Sequence, residues 1–124
     1  MDMLLPPATG SIFYEDKKVI AHLASFPFTA GHSLVVWKEP VSDLHLLGPN
    51  EYRHLMTVVD NVRNALRQAY KVEKAYLMYL DEAKHVHWHI VPRYNEQGFS
   101  LLTHNPTEIT DFSMVPTLSK ALTT

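Results

Sequence analysis

The segment His85-Val86-His87-Trp88-His89-Ile90-Val91 alternates imidazole and apolar side chains without a break. Strict alternation has period two, the period of a β-strand, and on a helix it would scatter both sets around the axis. As a strand, His85, His87 and His89 share one face while Val86, Trp88 and Ile90 share the other. The apolar set calls for a core on one side only, so the chain has to build a sheet covered on one face. Same-face neighbours lie about 6.5 to 7 Å apart along a strand, close enough for three imidazoles to converge on one small group. The histidine face is expected to line a pocket or to meet solvent.

The rest of the chain supplies a sheet and a cover for it. Residues 1–11 read as an irregular arm, because Pro6, Pro7 and Gly10 all oppose regular structure. Ile12-Phe13-Tyr14 and Val19 to Leu23 read as strands joined by a polar turn over 15–18. Ser33 to Trp37 is a third strand, rich in β-branched residues and stopped by Pro40. A helix is predicted to start at Pro49, with Glu51 in its first turn, and to end near Lys71. Tyr52, Leu55, Val59, Val62, Leu66 and Ala69 recur at spacings of three and four and predict its buried stripe. Ala75 to Leu80 and Val86 to Val91 are the last two strands. The segment 96–124 carries weak periodicity, with a short helix expected around 116–122. Hairpin, long helix, hairpin adds up to one α+β domain: about five antiparallel strands with a helix on one face.

Composition removes several kinds of chemistry. The chain has no cysteine, so thiol catalysis, disulfides and Cys-ligated metals are excluded. A formal net charge of −2 provides no basic field for a nucleic-acid polymer or an anionic membrane. Met3-Leu4-Leu5 runs into two prolines without a basic flank, unlike a secretory signal, and no apolar run approaches the roughly 20 residues of a membrane span. A cytoplasmic protein is expected. Eight histidines among 124 residues remain as the chemical signal.

Three readings of the histidine strand compete. Chance placement on a surface strand is disfavoured, because open strand faces normally carry Thr, Lys or Glu. Alternating imidazoles can ligate zinc. Imidazole is also largely neutral at pH 7, so it can attack phosphorus without a separate base while its neighbours donate hydrogen bonds to phosphate oxygens.

His85-Val86-His87-Trp88-His89-Ile90-Val91, continued by Pro92-Arg93, resembles the His-φ-His-φ-His-φ-φ signature of the histidine triad (HIT) family, where φ is apolar. Upstream, Phe26-Pro27-Phe28-Thr29-Ala30-Gly31-His32-Ser33-Leu34-Val35-Val36 is similar to that family's Pro-x-x-x-Gly-His-x-Leu-Val strand. The resemblance covers about residues 12–95. It implies a five-stranded antiparallel sheet with a helix, a homodimer, and hydrolysis or transfer of nucleoside monophosphate groups. It further implies that His87 is the nucleophile, that His85 orients the site, that His89 donates to the scissile bridging oxygen, and that His32 completes the hydrogen-bonded set. Histidine at position 89 resembles the hydrolase branches, since the nucleotidylyltransferase motif ends in glutamine. The partner expected is a small nucleotide substrate, with no cofactor and no resident metal.

Two positions depart from the family pattern. Ala24 stands where many members carry an Asn or Asp that binds ribose. The loop before the triad is short and reads Asp81-Glu82-Ala83-Lys84, and two carboxylates there would repel a polyphosphate if they faced it. Phe26 and Phe28 are candidates for a nucleobase slot, and Arg93 for a phosphate contact. Lys38 reads as solvated, Trp37 and Trp88 as core or interface aromatics, and His22, His45, His54 and His104 as structural residues outside any motif. Two further readings stay open beside the hydrolase: a metal-binding domain on His85, His87 and His89, and a HIT-fold module that binds nucleotide with little turnover.

Overall fold

The computed structural model describes residues 4–122. Five strands form one antiparallel sheet: β1 (Ile12–Glu15), β2 (Val19–Leu23), β3 (Ser33–Trp37), β4 (Lys74–Met78) and β5 (His87–Arg93), in the order β1-β2-β3-β5-β4. Helix α1 (Pro49–Tyr70) covers one face, and a shorter helix α2 (Val115–Leu122) packs against α1 and β1. The α+β sheet and single long helix expected from the sequence are what the chain forms.

Local chemistry explains the helix limits. Pro49 takes the first helical position, where its missing N–H is no loss, and the Glu51 carboxylate accepts from the Gly48 N–H at 3.0 Å. At the other end Lys71 adopts a left-handed conformation, φ 56°, and its N–H closes on the Arg67 carbonyl. Leu55, Val58, Val59, Val62, Ala65 and Leu66 are the buried residues of α1. They meet Val19, Ala21 and Leu23 of β2, Val35 and Trp37 of β3, and Ile90 of β5. Each such Val, Leu or Ile contributes about 1.5–3 kcal/mol by leaving water. Tyr52, placed on that stripe by its spacing, is instead 43% exposed, because it belongs to the first turn, beyond the sheet's cover.

Two strands differ in extent from expectation. β4 stops at Met78 rather than Leu80, since Asp81 draws the chain into a turn: its carboxylate accepts from the Tyr79 hydroxyl and the His85 N–H. β5 begins at His87 and runs through Pro92 to Arg93. β3 pairs only as far as Ile90, so Pro92 lies where β5 has no β3 neighbour to receive an N–H. The C-terminal segment also has more order than its weak periodicity indicated, with a 3-10 turn over Gly98–Thr103 before α2.

Gly31 fixes the entry to β3 just before His32. Its φ of +93° is one that L side chains rarely adopt, and a Cβ there would lie 2.8 Å from the ring of Tyr70 at the end of α1. Gly31→Ala should therefore cost about 2–4 kcal/mol in chemical denaturation, combining backbone strain with overpacking. A loss below 1 kcal/mol would show that the Tyr70 contact is soft.

Candidate functional site

Strand register assembles the site. His22 on β2 pairs with Leu34 on β3, and Leu34 pairs with His89 on β5, so the three form one row across the sheet. His87 lies opposite Val36, two residues along. Alternation sends His22, Leu34, Val36, His87 and His89 to the face away from α1, since Val19, Ala21, Leu23, Val35, Trp37 and Ile90 face the helix core. Trp88 follows the core set and packs its ring on Tyr79, with centroids 5.2 Å apart.

The hydrogen bonds assign protons to particular ring nitrogens. The Phe28 N–H donates to His32 Nδ1 at 3.0 Å, so His32 carries its proton on Nε2. His32 Nε2–H then donates to His89 Nδ1 at 2.9 Å, which leaves His89 with its proton on Nε2, as a donor. A second chain sets His87. Its Nδ1–H donates to the His85 carbonyl at 2.7 Å, which makes Nε2 the nitrogen with the lone pair. The rings of His87 and His89 meet edge to face at 5.1 Å. One backbone N–H and one backbone carbonyl thus leave a lone-pair nitrogen on His87 beside a donor nitrogen on His89.

His85 is not part of β5. It precedes the strand, and its Nε2–H donates to the Trp37 carbonyl at 2.6 Å. The triad is accordingly less open than a face of three equivalent imidazoles would be. His87 is fully buried, His89 is 8% exposed, and His85 is half-buried.

The remaining candidates divide. Phe28 stacks on His32, with centroids 5.5 Å apart and planes 5° from parallel, and lines none of the cavities beside the histidines; its role is to hold His32. Phe26, 45% exposed, lines a small cavity with His32 and His89. Arg93 ends β5 opposite Lys74 and does not reach these cavities. Asp81, a suspected source of repulsion, does not face the pocket. Its side chain is 6% exposed and lies behind His87, 3.9 Å from Nδ1, while Glu82 is exposed.

A match to the HIT domain model spans residues 7–96. The chain belongs to the histidine triad family. Among curated relatives, a HIT-like protein of Borreliella burgdorferi is 29% identical over 100 residues, covering 74% of this chain and 72% of that one. Among solved structures, a zinc-bound histidine triad family protein of Mycobacterium smegmatis is 26% identical with a TM-score of 0.71, covering 90% of this chain and 83% of that one. A hypothetical histidine triad nucleotide-binding protein of Sulfolobus tokodaii is 23% identical with a TM-score of 0.69, covering 93% and 82%.

Beside these histidines lies one that sequence reasoning placed outside any motif. His22 is 4% exposed, its Nδ1–H donates to the Leu23 carbonyl, and no hydrogen bond to its Nε2 is present among the described residues. It separates two cavities under the arm. The smaller, about 70 Å³, is bounded by Leu5, Pro6, Ala24, Phe26, His32 and His89; the larger, about 350 Å³, by residues 4–7, Ile20, Val36, Lys38 and His85. Period two in Val19–Leu23 places His22 opposite Val19 and Ala21, a signal that was legible, but only pairing shows which strand lies beside it. Lys38, expected in solvent, lines the larger cavity and pairs with Glu15 at 2.7 Å.

Burial, reinforced by the neighbouring His89 and His22, holds His32 far below the ordinary histidine value of 6.5, at about 3; burial also lowers His22. The folded-state value lies below the unfolded one, so the unfolded chain binds more protons between about 3 and 6.5, and stability falls as pH drops through that window. Lowering the pH from 7 to 4.5 should cost about 2 kcal/mol through His32 in denaturant titrations. His32→Gln should flatten that slope; an equal slope in both proteins would contradict it.

Proposed function

We propose that the chain is a HIT-type nucleotide hydrolase or transferase that cleaves a nucleoside monophosphate from a phosphoanhydride or phosphoramidate. The observation that carries the reading is the pair of opposed tautomers, an acceptor Nε2 on His87 and a donor Nε2 on His89, fixed by separate hydrogen-bond chains. His87 Nε2 attacks the α-phosphorus, and the bond from phosphorus to the leaving group breaks with its electron pair on that group. His89 Nε2–H hydrogen-bonds the bridging atom as charge develops there. Water then attacks phosphorus, the phosphorus–nitrogen bond breaks with its pair returning to His87, and a proton leaves to solvent. His85 holds the acceptor of His87 Nδ1–H, and His32 holds the tautomer of His89.

The nucleotide occupies the space between residues 4–7 and the sheet; His87 is fully buried and lines neither cavity, so the covering residues have to shift for its Nε2 to meet phosphorus. Leu5, Ile20 and Val36 offer an apolar wall of the kind a base requires, and about 350 Å³ is at the low end of small-molecule sites. Phe26 adds an aromatic edge. Ala24, 5% exposed, offers no hydrogen bond to a ribose, so ribose contributes less to recognition than base and phosphate. The similarity to the hypothetical histidine triad nucleotide-binding protein of Sulfolobus tokodaii is in keeping with this reading.

Metal binding is the second reading, raised by the zinc in the Mycobacterium smegmatis relative. His85 Nε2, His87 Nδ1 and His89 Nδ1 are engaged with Trp37, His85 and His32, which leaves lone pairs for a metal on His85 Nδ1 and His87 Nε2. No group of three or more ligating side chains placed to hold a metal ion occurs among the described residues. A second copy of the chain pairs along an exposed sheet edge such as β4, with light scattering expected at about twice 14.2 kDa.

His87→Asn should lower kcat by roughly three or more orders of magnitude against dinucleoside polyphosphates or nucleoside phosphoramidates, with nucleotide affinity within about tenfold. Rapid quench of wild-type protein with α-phosphate-labelled substrate should trap label in an acid-labile, base-stable bond. Absence of trapped label together with near-normal turnover by His87→Asn would sink the mechanism. Stoichiometric zinc whose removal abolishes activity would favour the metal reading.

A further inference from the structure

The loop between β4 and β5 buries a carboxylate behind the proposed nucleophile. Asp81 Oδ2 accepts from the Tyr79 hydroxyl at 2.7 Å, Oδ1 accepts from the His85 N–H at 3.0 Å, and the same Oδ1 lies 3.9 Å from His87 Nδ1. Burial together with the adjacent Asp81 pushes the Tyr79 hydroxyl well above the ordinary tyrosine value, so it stays a donor to that carboxylate. A buried charge is costly unless partners offset it, and among the described residues this one accepts hydrogen bonds from two neutral donors, the Tyr79 hydroxyl and the His85 N–H. A neutral amide could make both hydrogen bonds. The charge therefore calls for a separate explanation.

His87 supplies one. When its Nε2 bonds to phosphorus the ring gains positive charge, and Nδ1–H becomes a stronger donor to the His85 carbonyl. Asp81 accepts from the N–H of His85, the residue whose carbonyl is the acceptor, and its Oδ1 lies 3.9 Å from Nδ1. A fixed negative charge there stabilises the charged ring more than the neutral one, which is the condition for accelerating the chemical step. We propose that Asp81 is a positioning residue that holds the backbone at His85, and with it the Nδ1–H tautomer of His87, and sets a negative charge against the nucleotidyl-imidazolium as it forms. The inference rests on the proposed nucleotidyl transfer to His87. It also explains why an acidic loop is tolerated beside a phosphate site, since Asp81 turns behind the ring and Glu82 lies exposed.

The test removes the charge and keeps the shape. In Asp81→Asn the amide oxygen can accept from the His85 N–H while the amide nitrogen meets the Tyr79 oxygen. Its kcat should fall by roughly 10²-fold with KM within about threefold and an unfolding midpoint near wild type. Tyr79→Phe, which leaves the carboxylate in place, should keep kcat within about fivefold. A readout independent of turnover is the nitrogen-15 spectrum of labelled histidine, where wild-type His87 should show an unprotonated Nε2 and Asp81→Asn a mixture of tautomers. If Asp81→Asn does not fold, the pair Asp81→Glu and Asp81→Gln carries the test, and Glu should exceed Gln in kcat by about tenfold or more. Unchanged kcat and tautomer in Asp81→Asn, or equal rates for Glu and Gln, would reduce Asp81 to a loop clamp. A wild-type protein that turns over no nucleotide would overturn the proposed function instead, and the nitrogen-15 comparison would still decide whether Asp81 sets the tautomer.

Discussion

The hydrogen bond from His32 Nε2 to His89 Nδ1, 2.9 Å long, joins two residues 57 apart in sequence, one just before β3 and one in β5, and the arrangement of the site depends on it. It forms because Leu34 is in register with His89, which carries the His32 ring from the start of β3 toward the middle of β5. A slip of one residue would turn every histidine of β5 toward α1 and every core residue toward the cavities. The same contact relays a backbone instruction. The Phe28 N–H fixes the proton on His32, His32 fixes it on His89, and His89 is thereby left as a donor. Deep burial keeps His32 neutral; a second proton would sit on Nδ1, against the Phe28 N–H that now donates there.

The two faces of the sheet carry opposite requirements and are built from the same residues read alternately. Toward α1 the chain places Val19, Ala21, Leu23, Val35, Trp37 and Ile90 in a dry core. Away from α1 it places His22, His87 and His89, all buried, in an environment where an unanswered polar atom is costly. Several of the answers come from backbone groups: Leu23 for His22, His85 for His87, Trp37 for His85. Backbone partners cannot swing away as side chains do, so the ring orientations are held by the fold itself. Ring orientation and tautomer are what a nucleophilic imidazole needs most, since the wrong tautomer turns its lone pair away from the substrate.

The short loop 81–84 illustrates how one stretch of sequence can carry two meanings. By composition it adds negative charge beside a site that resembles a phosphate pocket. In three dimensions the charge is split. Asp81 folds under β5 and holds the His85 peptide, while Glu82 stays exposed. The departure at Ala24 is of the other kind, a loss with no replacement at the same position, and it leaves the pocket wall smaller and less polar there.

Much of this was legible in the amino-acid order. Alternation in His85 to Val91, together with three-and-four spacing from Leu55 to Leu66, dictates a strand with one wet and one dry face and a helix to cover the dry one, because burial follows side-chain periodicity. The Gly31-His32 pair was readable as the second part of the site by its resemblance to the family strand. Tertiary structure decided the rest. His22 joined the site only through the pairing of β2 with β3, Phe28 became a partner of His32 rather than a cavity wall, and Arg93 fell beyond the cavities at the end of β5. The direction of Asp81 was likewise invisible, since a loop side chain has no period to betray it. Periodicity reports which face of an element a residue occupies; it contains nothing about which element lies alongside, and proton positions in a histidine cluster are set entirely by those neighbours.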